Sequence, residues 1–403
     1  MQLGTPKTTK LFIPKNSTAN HSKNPLISIV VPALNEKLTI GEFIDWCWEG
    51  LHAAGVSGEI LIVDSSSDET PQIALKKGAR VLRTPKRGLG HAYIDAVPFI
   101  RGKFIIMGDC DLTYDFRELM PFIEQYKKGM EFVMGSRFRG SIEIGAMPKL
   151  HQYFGTPLTT WILNQIYHSQ YTDIHCGIRG LTKEALLKIN ISSKDWEYAS
   201  EMVLKASRLK LKIAEVPVKF YKDREGRLSH FKRGGFLAPW RGGWINLKVM
   251  LIYSPDTFLI KPAVIFFTLG LILSILSSIG GYKIGPFNLN IYSHLLGMTF
   301  LILGVSSFQL GILSRNDHGW RQGVERFIFQ KLTYDVGMLI SFFTFLMGVI
   351  LGINFIKNYI QSGYLITQLS HSAIYALMFI ILSIQLFSFC LQVELKRRLD
   401  SQI

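Results

Sequence analysis

The sequence predicts an α/β domain built on a mostly parallel sheet with flanking helices, followed by an α-helical membrane domain of four transmembrane helices. Three observations carry this. Short β-branched runs alternate with helical patterns over the first part of the chain, the rhythm of strand-helix-strand units. Four apolar stretches without Asp, Glu, Lys or Arg, near 262–280, 291–313, 336–356 and 372–393, are each long enough to cross about 30 Å of hydrocarbon as a helix. The charges are also segregated: residues 1–258 hold 35 Lys/Arg and 25 Asp/Glu, residues 259–403 only 10 and 5.

In chain order, residues 1–25 read as a polar N-terminal extension; it is basic and lacks an apolar segment through Asn24, which argues against a cleaved secretory signal. Residues 26–231 form the α/β domain, with strands expected at Ile27–Val31, Glu59–Asp64, Arg80–Arg83, Phe104–Met107 and Phe132–Gly135. Residues 232–258 are a juxtamembrane region in which Trp240, Trp244, Leu247 and Leu251 fall on one helical face, the pattern of an interfacial helix. A second such candidate spans 150–166, with Leu150, Phe154, Leu158, Trp161, Ile162 and Ile166. Residues 259–403 are the four-helix membrane domain with a short tail. Arg315, Arg321, Arg326 and Lys331 between the second and third spans, and Lys396, Arg397 and Arg398 after the fourth, put both termini and the α/β domain on the cytoplasmic side by the positive-inside rule.

The net charge of +15 suits phosphorylated substrates and anionic membrane lipids; no nucleic-acid module accompanies it, so nucleic acid is not an expected partner. Cys47, Cys110, Cys176 and Cys390 have neither zinc-site nor disulfide spacing, and none is assigned a catalytic role.

Ligands of open α/β sheets sit beyond the carboxyl ends of the strands, and the polar signals cluster there. VPALNE (31–36) follows the first strand, DSSSDET (64–70) the second, PKRGLGHA (85–92) the third and GDCD (108–111) the fourth. A nucleoside diphosphate needs carboxylates, closely approaching backbone amides and a divalent cation. Pro32, Ala33, Asn35, Glu36, Asp64, Gly88, Gly90 and Asp109 are the donor-binding candidates. Asp109 and Asp111 are the candidate metal ligands, hard oxygens that suit Mg²⁺ or Mn²⁺. His91 and His175 lie near these motifs and are not assigned to metal.

The ordered set VPALNE, DSSSDET, RGLGHA, GDCDLTYD, GSRF (135–138), DIHCGIRG (173–180) and WEYASEM (196–202) resembles glycosyltransferase family 2, and within it the polyprenyl-phosphate glycosyltransferases, from about residue 26 to 256. The resemblance implies a GT-A fold and inverting transfer of a hexose from a UDP- or GDP-sugar to a polyprenyl phosphate, with Asp109, Asp111, Arg224 and Arg227 catalytic. It places Arg137, Arg224, Arg227, His230 and Lys232 at acceptor or donor phosphate, and Asp173 and Glu201 where they could orient the sugar. Thr113 replaces a longer ligand seen in some mannose synthases, so a cation would rely on Asp109, Asp111 and the donor's own phosphates. The Gln-x-x-Arg-Trp signature of processive synthases is absent, and repeated polymer extension is not expected. Two alternatives stay open: transfer to a lipid or glycan hydroxyl with Glu201 or Asp173 as general base, and a binding or translocation role for lipid-linked sugar. A homo-oligomer also stays open.

Overall fold

The computed structural model describes residues 6–14, 24–224, 244, 247–279, 283–284, 287–317, 324–365 and 370–400. The chain divides into two compact units, 1–253 and 254–403.

The first unit is an eight-stranded sheet: β1 (Lys10–Phe12), β2 (Ile27–Ala33), β3 (Gly58–Asp64), β4 (Arg80–Arg83), β5 (Phe104–Met107), β6 (Phe132–Ile142), β7 (Arg179–Thr182) and β8 (Ile213–Phe220), in the spatial order β1-β4-β3-β2-β5-β7-β6-β8. The pairs β2–β3, β3–β4, β2–β5 and β6–β8 are parallel, whereas β7 runs antiparallel to both β5 and β6. The five expected strands are all present. Their largely apolar centres have a plain cause: helices α1 (Ile40–Ala53), α2 (Thr70–Lys76), α3 (Leu89–Ala96) and α4 (Met120–Lys127) accompany them, and β3, β4 and β5 are buried along their whole length. Burying each such Val, Leu or Ile contributes about 1.5–3 kcal/mol.

Three strands were not expected. β1 is a three-residue edge strand inside the segment read as an extension, pairing Lys10–Phe12 with Arg83–Val81. β7, Arg-Gly-Leu-Thr, holds a single large apolar residue and so carries no strand signal. β8 is the other edge; Pro217 and alternating exposed positions make IAEVPVKF read as irregular chain, but an edge strand tolerates a proline that cannot donate to the ladder.

Register decides where the site falls. Ala33 lies beside Asp64, and Asp64 beside Arg83, so three strand ends are level. Met107 at the end of β5 pairs with Arg179, which also pairs with Met134. The antiparallel β7 therefore returns the segment before it, with Asp173 and Cys176, to the same edge of the sheet as Asp109 and Arg137. This is the GT-A arrangement. At the opposite edge a buried cluster is structural: Glu59 accepts from Ser28 Oγ (2.7 Å), Arg80 Nη1 (2.6 Å) and the Arg101 amide (2.9 Å).

After β6, a wide turn at His151–Gly155 leads into α5 (Thr156–Tyr167); α6 (Lys183–Ile189) and α7 (Tyr198–Arg208) follow β7. Leu150, Tyr153, Phe154, Leu158 and Trp161 are exposed along the α5 stretch.

The second unit holds four helices long and apolar enough to cross a membrane, Asp256–Ser278, Ile291–Arg315, Tyr334–Gln361 and His371–Leu399; the first joins a wide turn at Asp256–Ile260 to α8 (Lys261–Ser278), and the others lie within α9 (Ile291–Asp317), α11 (Tyr334–Gln361) and α12 (His371–Asp400), a short α10 (Val324–Lys331) preceding α11. The chain is a membrane protein. Small residues let the helices approach: a β-carbon at Gly270 would lie 2.6 Å from the Leu301 amide nitrogen, and one at Gly348 2.8 Å from Ile380 Cγ1. The basic residues gather at one end of this unit. Arg315 pairs with Asp256, Arg397 Nη2 donates to the Phe329 and Leu332 carbonyls (both 2.9 Å), and Lys396 reaches the Leu313 carbonyl (3.5 Å).

Candidate active site

The first two loops are laced together. Asn35 takes a left-handed conformation (φ 58°), its amide donates to Ser66 Oγ (2.7 Å), and its side-chain oxygen accepts from the Ser67 amide (2.9 Å). The Glu36 amide donates to Thr70 Oγ1 (2.9 Å), and Thr39 Oγ1 donates to the Glu36 carboxylate (3.2 Å). Pro32 and Ala33 contribute carbonyls, accepting from Cys110 Sγ (3.5 Å) and the Ser65 amide (3.1 Å). Asp64 is fully buried against Arg83 (2.6 Å), with the Ser66 amide at 3.3 Å. Burial raises its pKa even though Ser66 and Arg83 pull the other way. Asn35 and Ser67 are left exposed at the rim.

Asp109 and Asp111 follow β5, both partly exposed. Between them and Thr113 the chain turns through Leu112 in the left-handed region (φ 64°), and Asp111 Oδ1 accepts from Thr113 Oγ1 (2.5 Å) and the Thr113 amide (3.1 Å). Thr113 thus holds a carboxylate in place rather than replacing a ligand. A β-carbon at Gly177 would lie 2.6 Å from Asp109 Oδ2, so Gly177 makes room for that acid. Among the described residues no three His, Cys, Asp or Glu gather as a cage. Two hard, half-exposed carboxylates fit Mg²⁺ or Mn²⁺ when the other positions are filled by phosphate oxygens and water.

The other assignments fare differently. Arg137 and Asp173 face each other: Nε and Nη2 donate to Oδ2 (2.6 Å) and Oδ1 (2.8 Å), and the Arg137 amide adds a third bond to Oδ2 (3.1 Å). Burial opposes the guanidinium's charge, but Tyr114 and Asp173 outweigh it and raise its pKa. The phosphate ligand and the sugar-orienting acid expected from the sequence therefore form one buried fork-to-fork pair, a bracket between β6 and the segment before β7.

Glu201 accepts from the Ser192 amide (2.9 Å), Ser192 Oγ (2.7 Å), the Ser193 amide (2.7 Å) and Lys205 (2.5 Å). Burial alone would raise its pKa, yet Lys205, Ser192 and Ser193 together hold it at about 2. Glu201 thereby shapes the 192–195 segment, which explains Gly88 and Gly90. The Leu89 and His91 amides donate to Asp195 Oδ1 (3.4 Å) and the Lys194 carbonyl (3.1 Å). A β-carbon at Gly88 would run into the Lys194 carbonyl oxygen, and one at Gly90 into that of Ser193. These glycines admit a neighbouring loop. Gly90→Ala should consequently cost about 1–3 kcal/mol, as overpacking against an immovable neighbour does. Thermal melts of Gly90→Ala should fall below those of Ser67→Ala, which alters only the exposed rim; equal melts would remove this account of the glycine loop.

Arg224 pairs with Glu42 on α1 at a half-exposed position. Arg227, His230, Lys232, Trp240 and Arg241 lie outside the described residues. The sequence reading missed Tyr114, whose hydroxyl accepts from the Gly177 amide (2.8 Å), and Arg179, which donates to the Ala199 (2.9 Å) and Cys176 (2.8 Å) carbonyls. Both lay inside motifs already singled out, but nothing local marks a residue whose partner is 20 or 63 positions away. Burial pushes the Cys176 thiol up to about 12 and the His175 imidazole down to about 4, so at neutral pH the thiol stays protonated and the imidazole uncharged.

The sequence profile described as Glycosyl transferase family 2 matches residues 28–189, the stretch that carries the laced loops, Asp109 and Asp111. The low-salt glycan biosynthesis hexosyltransferase Agl6 of Haloferax volcanii is 29% identical over 90% of this chain and 87% of its own length. The dolichyl-phosphate hexose transferase of the same organism is 28% identical over 54% of this chain and 89% of its own. The uncharacterized protein MJ1222 of Methanocaldococcus jannaschii is 30% identical over 51% of this chain and 85% of its own. Among solved structures, mannosyl-3-phosphoglycerate synthase from Rubrobacter xylanophilus is similar at TM-score 0.45 and 21% identity, covering 58% of this chain and 76% of that one. Sheet order, the placing of the two acids beyond β5 and these sequence matches agree, and the chain belongs to glycosyltransferase family 2 and is a glycosyltransferase.

Proposed function

We propose that the protein transfers a hexose, with inversion, from a nucleoside-diphosphate sugar of the UDP or GDP type to polyprenyl phosphate at the cytoplasmic membrane face. The observation that carries this reading is the state of its two candidate bases. Asp173 is locked to Arg137, and Glu201 is held ionised by four hydrogen-bonded contacts at a pKa of about 2. A hydroxyl acceptor would need one of them to take a proton; a phosphate monoester is already anionic and needs none. The four membrane helices supply the setting for a lipid acceptor, and the printed name of the Haloferax dolichyl-phosphate hexose transferase points the same way.

On this reading the rim of Asn35 and Ser67 meets the nucleoside, and Asp109 and Asp111 hold the divalent cation. That cation, when bound, neutralises the diphosphate as it leaves. Arg224 leaves Glu42 to meet phosphate, a cheap exchange because an exposed pair contributes about 0–1 kcal/mol. The orientation rests on the basic end of the second unit, where Arg315 meets Asp256 at the start of that unit, and the positive-inside rule puts that end in the cytoplasm.

The test is a panel of radiolabelled UDP- and GDP-sugars given to the full chain in lipid, with polyprenyl phosphate or the matching polyprenol as acceptor. Label should enter only the phosphate acceptor, and transfer to the alcohol at a similar rate would overturn the proposal. Within the same assay Arg224→Gln should lower turnover by on the order of tenfold or more, the loss of one charge-assisted phosphate contact of about 1.5–3 kcal/mol. Glu42→Gln should leave the rate near wild type. Equal effects of the two would reduce Arg224 to a surface ion pair.

A further inference from the structure

The second unit contains a cluster that neither an anchor nor the transfer reaction uses. At the end of this unit opposite the Asp256–Arg315 pair, α8 finishes, α9 begins and α12 begins. There Ser278 Oγ lies 3.3 Å from His294 Nδ1 and 2.6 Å from the Tyr375 hydroxyl. The His294 and His371 rings stand edge to face, 4.8 Å apart at 83°. His294 is fully buried. Its Nε2 and His371 Nδ1 are both shielded and have no hydrogen-bond partner among the described residues; the same holds for Ser274 Oγ and Ser277 Oγ.

Counting protons settles which ring nitrogen of His294 is which. Ser278 Oγ donates its single hydrogen to the Ser274 carbonyl (2.6 Å), which can only accept. The Ser278 oxygen must then accept from its other two neighbours, Tyr375 O–H and His294 Nδ1–H. With all three contacts hydrogen-bonded, His294 is the Nδ1–H tautomer, and its Nε2 carries a buried lone pair without a hydrogen-bond partner among the described residues. A hydrogen-bonded outer nitrogen that fixes the tautomer and leaves the other lone pair available is the arrangement of metal-binding histidines. Two imidazoles bound to one ion at about 2.0–2.1 Å place their ring centres about 5 Å apart, close to the 4.8 Å observed. Among the described residues no Asp or Glu joins the cluster, so it does not suit the hard cations that suit Asp109 and Asp111; imidazole nitrogen selects borderline ions.

We propose that His294 and His371 bind a transition-metal ion of the zinc class, with water completing its coordination, and so tie α9 to α12 at this end of the membrane unit. Unlike the donor and acceptor assignments, this site depends only on the second unit's own side chains.

The experiment uses the tag-free full chain in nanodiscs, stripped with chelator and dialysed against Zn²⁺ in excess Mg²⁺, which occupies the Asp109/Asp111 site. Wild type should retain one zinc per chain, His294→Gln and His371→Gln should retain none, and Ser278→Ala should bind about 10–100-fold more weakly because the tautomer is no longer held. The same stripped wild type loaded with Cu²⁺ should show two imidazole nitrogens coupled to one ion by electron paramagnetic resonance, a readout that needs no variant to fold. Retention no greater than that of the His294→Gln/His371→Gln double variant, or a copper signal with fewer than two imidazoles, would overturn the site and leave an edge-to-face packing pair.

Discussion

Asp111→Asn should lower hexose transfer by on the order of 10²–10³-fold, the scale seen when one preorganised group facing developing charge is removed. Melting should change little, because Asp111 is only partly buried and its bonds to the amide and hydroxyl of Thr113 lie within its own turn. An asparagine oxygen can still accept those bonds, so the fold keeps its turn while a cation loses a charged ligand. Removing the metal from wild type with excess chelator should reproduce the loss, and added Mg²⁺ or Mn²⁺ should restore wild type much more than the variant. Undiminished activity in chelator would take the divalent cation out of the reaction altogether.

The largest stability effect is expected at the Arg137–Asp173 pair. Both side chains are at least nine-tenths buried, so Asp173→Asn leaves a guanidinium without its counter-charge, a change that costs about 3–5 kcal/mol. For a unit of this size that amounts to a fall in melting temperature of about 6–20 °C. Arg137→Met should do the same by stranding the carboxylate. The two changes should not add: Arg137→Met with Asp173→Leu should recover much of the loss, because no charge is left unpaired. If Arg137→Met instead melts like wild type and raises only the KM for lipid phosphate, the guanidinium serves the acceptor and the bracket is secondary.

That pair shows what the sequence could not settle. GSRF and DIHCGIRG mark Arg137 and Asp173 separately, and read alone each is a free charge looking for a ligand. They meet because β7 runs antiparallel between β5 and β6 and returns the 173–178 segment to the edge where β6 ends. Length is not the reason it went unseen, since β4 also has four residues; Arg-Gly-Leu-Thr in β7 holds a single large apolar residue, so nothing local marks it as a strand. The glycine loop teaches the same lesson from the other side: Gly88 and Gly90 resemble a phosphate cradle in sequence, and only the fold shows the Ser193 and Lys194 carbonyls in the space their missing side chains leave.

Sequence alone was enough wherever the physics is local. Short segments centred on apolar residues between helical patterns specify the strands, so the expected strands at 80–83 and 104–107 coincide with β4 and β5. Apolar length without charge specifies spanning helices, and all four are present. Parallel strands share one carboxyl end, so position alone places Asp64, Asp109 and Asp111 at that end of the sheet, Asp64 buried against Arg83 and the other two partly exposed. Tertiary structure decided what depends on a partner outside the local motif: that Glu201 is fastened to Ser192, Ser193 and Lys205, that Arg224 rests on Glu42, and that His294 and His371, 77 positions apart in the sequence, share one corner of the membrane unit. A side chain's chemistry depends on which neighbours satisfy its charge and hydrogen bonds, and those neighbours are chosen by strand order and helix packing.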